Sequence, residues 1–507
     1  MHASLLAAEG GWQAFELKGG EWAVLILSVL SALLAIAHPA AASMAADPAK
    51  PATTTTGAAA TAATADPKAK ADADAEAAAK AEAEAKAEAE KQAVLDSWKK
   101  GRPVAIQYYR AVDQRGINVF ETTKTPGVEY TGFKMDINAS FTSQVQDLSH
   151  SNTAVPVMSS GINANQLADI GFGFNNSTAN LYLNAQLAPG VRVALTSYLS
   201  SRHHNETWVK DGYIQIDQSP MDLAPLKMLF NIATVRVGHM EINYGDAHFR
   251  RSDNGNALYN PFVGNYIMDA FTTEVGGEVY LKTSNVIAMG AITGGEIRGT
   301  VTNPGQRGPA FIGKLGYDRR WNEDLRFRVT GSLYTAQKSA SNTLYGGDRA
   351  GSRYYWVLEN VQATESAQAF SGLINPGFKN QVTAFQLNPF VQFHGVELFG
   401  VIEQATGRAS TEPADRQWNQ YAIDGVYRCA SNRLFAGARY NQAQGDLPGI
   451  VDEVGAKRVQ IGGGWFILPG LLAKAEYVKQ TYFGYPPANV KNGGKFDGLM
   501  LEGVVAF

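Results

Sequence analysis

The chain has almost no cysteine: Cys429 is the only one in 507 residues. That excludes an internal disulfide framework, a cysteine-rich zinc site and a CxxC redox pair. Charge of one sign is also missing, with 44 Lys and Arg against 47 Asp and Glu. The chain therefore has no broad basic excess of the kind a non-specific nucleic-acid binder needs, and no nucleic-acid partner is expected. Long apolar runs are reduced to one, near the N-terminus, and mean hydropathy is -0.18, which does not describe a polytopic helical membrane protein. No G-x-S-x-G, H-E-x-x-H or Walker sequence occurs, so neither catalytic residues nor a metal or other cofactor is expected, and the chain does not read as an enzyme. His203 and His204 with Glu206 do not amount to a metal site, because consecutive strand-end residues point to opposite sides. Gly462-Gly463-Gly464 is not a phosphate cradle; it suits a bend in a sheet or the approach of another backbone.

What is present begins with an unusual leader. Residues 22–37 form an apolar run of signal-peptide length, followed by the small residues of 40–46. Glu9, Glu16 and Glu21 precede it in place of a positive region, so residues 1–46 read as a cleaved signal or, alternatively, a retained anchor. Residues 47–67, rich in Ala, Thr and Pro, read as a flexible linker. From 68 to 100 Ala alternates with Asp, Glu and Lys, and pairs such as Glu76–Lys80 and Glu82–Lys86 have favourable i,i+4 spacing. Leu and Ile are nearly absent, so this predicted periplasmic helix has no ordinary coiled-coil seam. It reads as a spacer, with an Ala-packed stalk or a contact to the cell wall as alternatives.

Beyond it, residues 101–507 are dominated by period-two alternation. Leu325, Phe327, Val329 and Leu333 fall on one face of a strand, and Arg326, Arg328, Thr330 and Ser332 on the other. Such segments run about 10–14 residues, longer than the ~5–6 usual in soluble sheets and long enough for a tilted membrane strand. Short connections such as Pro189-Gly190, Asn322-Glu323 and Pro469-Gly470 alternate with long ones near 147–178, 244–268, 337–381 and 484–495, as periplasmic turns alternate with external loops in outer-membrane barrels. The chain ends on Leu499, Leu501, Val505 and Phe507 at every second position. This resembles the closing strand that the barrel-assembly machinery of Gram-negative bacteria reads. The expectation is an all-β, transmembrane antiparallel barrel of about 16 strands, with 18 if Gly171–Phe174 or Tyr354–Leu358 add strands. Sixteen to eighteen strands leave an aqueous channel.

If the apolar face meets lipid, Lys134, Arg192, Arg236, Lys314, Arg320, Arg326, Arg328, Arg428, Arg433, Arg439, Arg458 and Lys474 are candidate pore-lining groups. Acidic residues including Asp136, Glu274, Glu278, Glu397, Glu403, Asp424 and Glu476 share that face. The modest basic excess suggests weak anion preference, although porin walls carry both signs simply to stay wet. Breakers and charge coincide in 244–268, where Asp246, His248, Arg250, Arg251 and Asp253 are candidate constriction residues; the alternative is a surface loop held by its own ion pairs.

The segment Arg236-Val237-Gly238-His239-Met240-Glu241-Ile242-Asn243-Tyr244-Gly245, followed by a long loop, resembles the G-[KR]-x-K-x-P-[FY]-G region of the phosphate-selective porin O/P family. The resemblance implies a sixteen-stranded trimeric porin, some members having an N-terminal periplasmic helix. In sixteen-stranded porins the third external loop typically folds into the barrel. His239, Glu241 and Asn243 depart from the family pattern and put phosphate specificity in doubt. The expected function is an outer-membrane porin for passive diffusion of small hydrophilic solutes or ions. The alternatives are an envelope tether acting through 68–100 and, more remotely, an outer-membrane hydrolase. Lipid, two further copies of the chain and the assembly machinery are the expected partners, with the cell wall added if 68–100 tethers.

Overall fold

The computed structural model describes residues 78–82, 85–86, 89, 106–200, 207–348, 351–364, 371–429 and 431–507. The predicted signal or anchor, the linker, and His203, His204 and Glu206 lie outside these residues. The chain divides into two units, 1–82 and 83–507. Within the predicted spacer, residues 78–82, 85–86 and 89 are helical and exposed.

The second unit contains sixteen long strands: β1 (Lys134–Ser151), β2 (Thr178–Ala188), β3 (Val191–Ser200), β4 (Thr207–Ile216), β5 (Ala233–Glu241), β6 (Thr273–Lys282), β7 (Val286–Thr293), β8 (Ala310–Arg320), β9 (Leu325–Ala336), β10 (Gln381–Phe393), β11 (Val396–Arg408), β12 (Arg416–Cys429), β13 (Leu434–Gly445), β14 (Val454–Leu468), β15 (Leu471–Phe483) and β16 (Lys495–Ala506). Each pairs antiparallel with its sequence neighbours, and β16 returns to β1 through twelve residue pairs from Ser140–Ala506 to Ser151–Lys495. The ring is closed. Phe507 extends the seam, since its backbone N and O bond the O and N of Ala139. β1 pairs with β2 over Lys134–Thr142 but with β16 over Ser140–Ser151, the stagger that closure of a tilted sheet requires. Of the two further strands foreseen, Gly173–Phe174 pairs with Val145–Gln146 as a two-residue addition, whereas Tyr354–Leu358 forms no strand. A short helix, α1 (Ala224–Phe230), lies in the β4–β5 connection.

Alternation explains both faces. Phe133, Met135, Ile137 and Phe141 of the β1 region, Phe311 and Leu315 of β8, and Leu499 and Leu501 of β16 are exposed outside. Their neighbours Asp136, Asn138, Ser140, Lys314 and Glu502 are buried inside. Closure leaves no sheet edge unpaired, and an apolar exterior around a polar interior is the only way a sheet can cross a bilayer. The aromatic residues are divided. Trp321 and Trp465 are exposed, but Trp418 faces inward, fully buried, its Nε1 donating to the Asp446 carbonyl at 2.7 Å.

The interior is far from empty. Three segments enter it: 106–126 at the end carrying the short turns, and 242–272 and the described residues of 340–348, 351–364 and 371–378 at the end carrying the long loops. Their apolar residues, among them Phe120, Phe262, Val263, Ile267, Tyr354 and Ile374, pack against inward-facing wall residues in three hydrophobic clusters.

Candidate functional site: the charged opening inside the barrel

Gly245 turns the chain inward after β5. Its φ of +71° suits glycine, and a Cβ there would collide with the Gln386 side chain. Next comes a 3-10 turn, Ala247–Arg250, with the Asp246 backbone N–H held by Asn388 Oδ1 at 2.8 Å. The Asp246 carboxylate accepts from Arg328 at 2.7 and 2.8 Å and lies 2.7 Å from Lys314 Nζ. Glu121, from the segment ahead of the barrel, shares both cations, at 3.0 Å from Lys314 and 2.8 Å from Arg328. Burial alone would raise both carboxyl pKa values. The two cations outweigh it and hold Asp246 below, and Glu121 well below, the usual carboxylate range.

The other predicted constriction residues are equally engaged. Arg250 pairs with Glu397 at 3.2 Å, and Arg428 reaches the same carboxylate at 2.8 Å. Arg251 lies against the Phe271 ring and bonds Asp269 at 2.5 Å and Asp348 at 2.6 Å. Asp253 pairs with Lys210 at 2.6 Å and accepts from the Tyr198 hydroxyl. His248 lies 2.6 Å from Glu241 and 3.0 Å from Asn243; burial lowers its imidazole despite the carboxylate beside it.

The predicted pore-lining groups fall into two sets. On β12–β16 they clamp the inserted loops. Arg439 pairs with Asp424 at 2.7 Å and donates to the Gly264 carbonyl at 3.0 Å. Arg458 donates to the carbonyls of Asn265 and Gly372, each at 2.6 Å. Lys474 reaches the carbonyls of Ala257, Asn260 and Phe262 at 2.9–3.2 Å and pairs with Glu502. Lys314, Arg328, Arg428, Arg439, Arg458 and Lys474 all point inward and are almost wholly buried against protein. Near the short-turn end, Arg320 is exposed, while Lys134, Arg326 and Arg433 are half-buried. Arg326 pairs with Asp318 at 2.6 Å, and Arg433 donates to the Ile467 carbonyl at 3.4 Å.

The second set borders an opening on the other side of the interior, beside β2–β6. There a cavity of ≈ 210 Å³ is lined by Arg110, Glu121, Tyr182, Lys210, Asp211, Tyr213, Arg236, Glu241, His248, Arg251, Asp253, Tyr259 and Tyr280. Toward the long loops, Lys210 meets Glu241, Asp253 and Asp211 at 2.7, 2.6 and 4.0 Å. Nearer the short turns, Arg192, Gln215, Arg236 and Glu278 form one cross-strand row. Three carboxylates thus surround one lysine toward the long loops, while two arginines and one glutamate lie nearer the short turns.

Sequence reasoning missed Arg110, Asn118 and Glu121, because 106–126 has no periodicity. The only signal was a density of aromatic and charged residues between the spacer and the first strand. It missed Lys210 because a register shift in β4 interrupts the alternation there.

No family model and no curated protein matches this chain, so the resemblance to the O/P family gains no support from them. Similar solved structures are the in-vitro folded outer membrane protein OmpT of Vibrio cholerae in its trimer form (10% identity, 74% of this chain and 100% of that one, TM-score 0.44), the anion-selective porin of Comamonas acidovorans (12%, 74% and 100%, 0.45) and the outer membrane channel DcaP of Acinetobacter baumannii (9%, 75% and 99%, 0.45). The chain's own closed sheet, apolar exterior and polar interior are those of an integral outer-membrane β-barrel.

Proposed function

We propose that the chain is a narrow outer-membrane porin, a water-filled channel for passive diffusion of small hydrophilic solutes or ions. The observation carrying this reading is the charged cavity beside β2–β6, left between the wall and inserted segments that occupy much of the interior. Segment 244–268 acts as the constriction in this reading, and Asp246, Arg250 and Arg251 hold it in place more than they face solute. Selectivity is weakly anionic: Arg110 and Arg192 have no ion pair among the described residues, and the acidic groups around Lys210 keep the preference small. A dedicated phosphate pathway is not proposed, since Glu241, Asp253 and Glu278 beside the opening oppose a dianion. Three copies associate laterally, lipid covers the apolar belt, and the β16 terminus is read during assembly.

Planar-bilayer recording of the purified protein under a KCl gradient tests the proposal. Stepwise openings with triplet closures and a small reversal potential of anionic sign are expected. Folded protein that never conducts would overturn it. The extent of interior filling favours one alternative, a barrel serving as anchor for an envelope tether at 68–100. Removing 47–100 would then abolish attachment of the outer membrane to the cell wall.

A further inference from the structure

Among the described residues, two guanidinium groups near the opening, those of Arg110 and Arg192, have no ion pair, and a third, that of Arg236, has only a long one. Arg192 is buried, and among the described residues no carboxylate lies within ion-pair distance of it. Its Nη2 donates to Gln215 Oε1 at 2.7 Å, while its Nε has no partner. Arg236 Nε donates to that same oxygen at 2.8 Å, and its nearest carboxylate, Glu278, is 3.9 Å away. Two cations therefore converge on one neutral amide oxygen. Gln215 is committed on its other side, its Nε2 donating to Asp217 at 2.6 Å. Both guanidiniums lie over the Tyr213 ring, 5.7 and 5.4 Å from its centre.

The third cation comes from outside the barrel. Arg110, in the segment preceding β1, donates Nε to the Gly116 carbonyl and Nη2 to the Phe249 carbonyl, at 3.1 and 3.0 Å. It stacks on Tyr259 at 3.9 Å, lines the same cavity as Arg236 and Tyr213, and has no carboxylate partner among the described residues. Of the carboxylates around the cavity, Glu121 is held by Lys314 and Arg328, while Glu241, Asp253 and, at 4.0 Å, Asp211 share Lys210.

The geometry points to a binding subsite for the carboxylate of a small organic acid, built jointly by the wall residues Arg192 and Arg236 and by Arg110 of the N-terminal segment. This rests on the channel reading and names the solute class that reading leaves open. A guanidinium edge presents paired donors that match a planar carboxylate. The rings of Tyr213 and Tyr259 offer flat faces to the rest of such a solute. A doubly charged anion is disfavoured, because Glu241, Glu278 and Asp253 stand nearby. Segment 106–126 is then a working wall of the channel, since it supplies one of the three cations.

The test titrates acetate, benzoate and inorganic phosphate against KCl current through the full-length protein. Acetate and benzoate are expected to reduce the current at lower concentration than phosphate. In Arg110→Gln and Arg192→Gln the concentration for half-block should rise about tenfold, one lost charge-assisted contact being worth roughly that factor. Arg110→Lys keeps the charge and is expected to keep the reversal potential while weakening the carboxylate block, because the planar fork is gone. Heat-modifiable gel mobility confirms that each variant is folded. Block unchanged in both Gln variants, or phosphate blocking more strongly than either carboxylate, overturns the subsite. If the wild type is folded but never conducts, the channel reading fails by itself. Calorimetric titration of acetate into the detergent-solubilised protein then decides the subsite separately: binding lost in Arg192→Gln supports it, and no binding refutes it.

Discussion

Arg439 shows how single residues hold the interior together. Its guanidinium lies over the rings of Tyr266 and Phe262, pairs with Asp424 and reaches the Gly264 carbonyl, so it joins wall and loop at one point. Removing one partner of a buried pair strands the other, at a cost of about 3–5 kcal/mol. Arg439→Leu should therefore lower the temperature at which the barrel loses its compact gel mobility and raise single-channel conductance as 260–266 loosens. Unchanged values for both would show that the clamp is unimportant. Two glycines argue similarly. A Cβ on Gly264 would run into the Tyr354 ring, and one on Gly255 into the backbone of Ser140 and Ala179. Tyrosine can swing aside but strand backbone cannot. Gly255→Ala is thus expected to destabilise the folded barrel more than Gly264→Ala, as read from paired thermal melts.

Among the elements, segment 106–126 is held in place by charge at its Glu121 end. Glu121 anchors it to Lys314 and Arg328, Asn118 bridges Arg250 and Glu397, and Phe120 lies under Arg328 at 4.3 Å. A carboxyl whose folded pKa is depressed contributes stability above its unfolded value, about 4.3 for Glu, and loses it as pH falls through the folded value. Hydrogen-exchange protection of 106–126 should accordingly persist from neutral pH down to about pH 4 and decline only below it. Loss of protection already at pH 6 would contradict the assignment. Glu121→Gln is expected to expose the segment at neutral pH, because Lys314 and Arg328 then share only Asp246 and Asp318 between them.

For the whole molecule, the ring alone would leave a broad lumen, and the inserted segments decide how much water crosses it. Deleting 47–100 removes neither the ring nor any described inserted segment. That variant should conduct as the intact chain does; a large change in conductance would show that the spacer acts on the pore.

Strand order, face assignment and closure were legible in the amino-acid sequence because membrane strands carry a two-residue period over longer segments than soluble sheets use, with short and long connections in turn. Strands such as Arg416–Cys429 and Ala310–Arg320, of 14 and 11 residues, have the length expected. β5 is shorter, at 9 residues, because it begins only at Ala233, after α1. The sequence also identified which charged residues point inward, since alternation dictates side. It did not determine what they meet. Whether Arg458 faces water or the carbonyl of Gly372, and whether Arg110 is a linker residue or part of the opening, depends on contacts between distant segments, 86 positions apart for Arg458 and Gly372 and 139 for Arg110 and Phe249. Those contacts have no local period. Only the tertiary structure decided them, because an inward charge is satisfied by whichever polar segment the closed ring happens to admit.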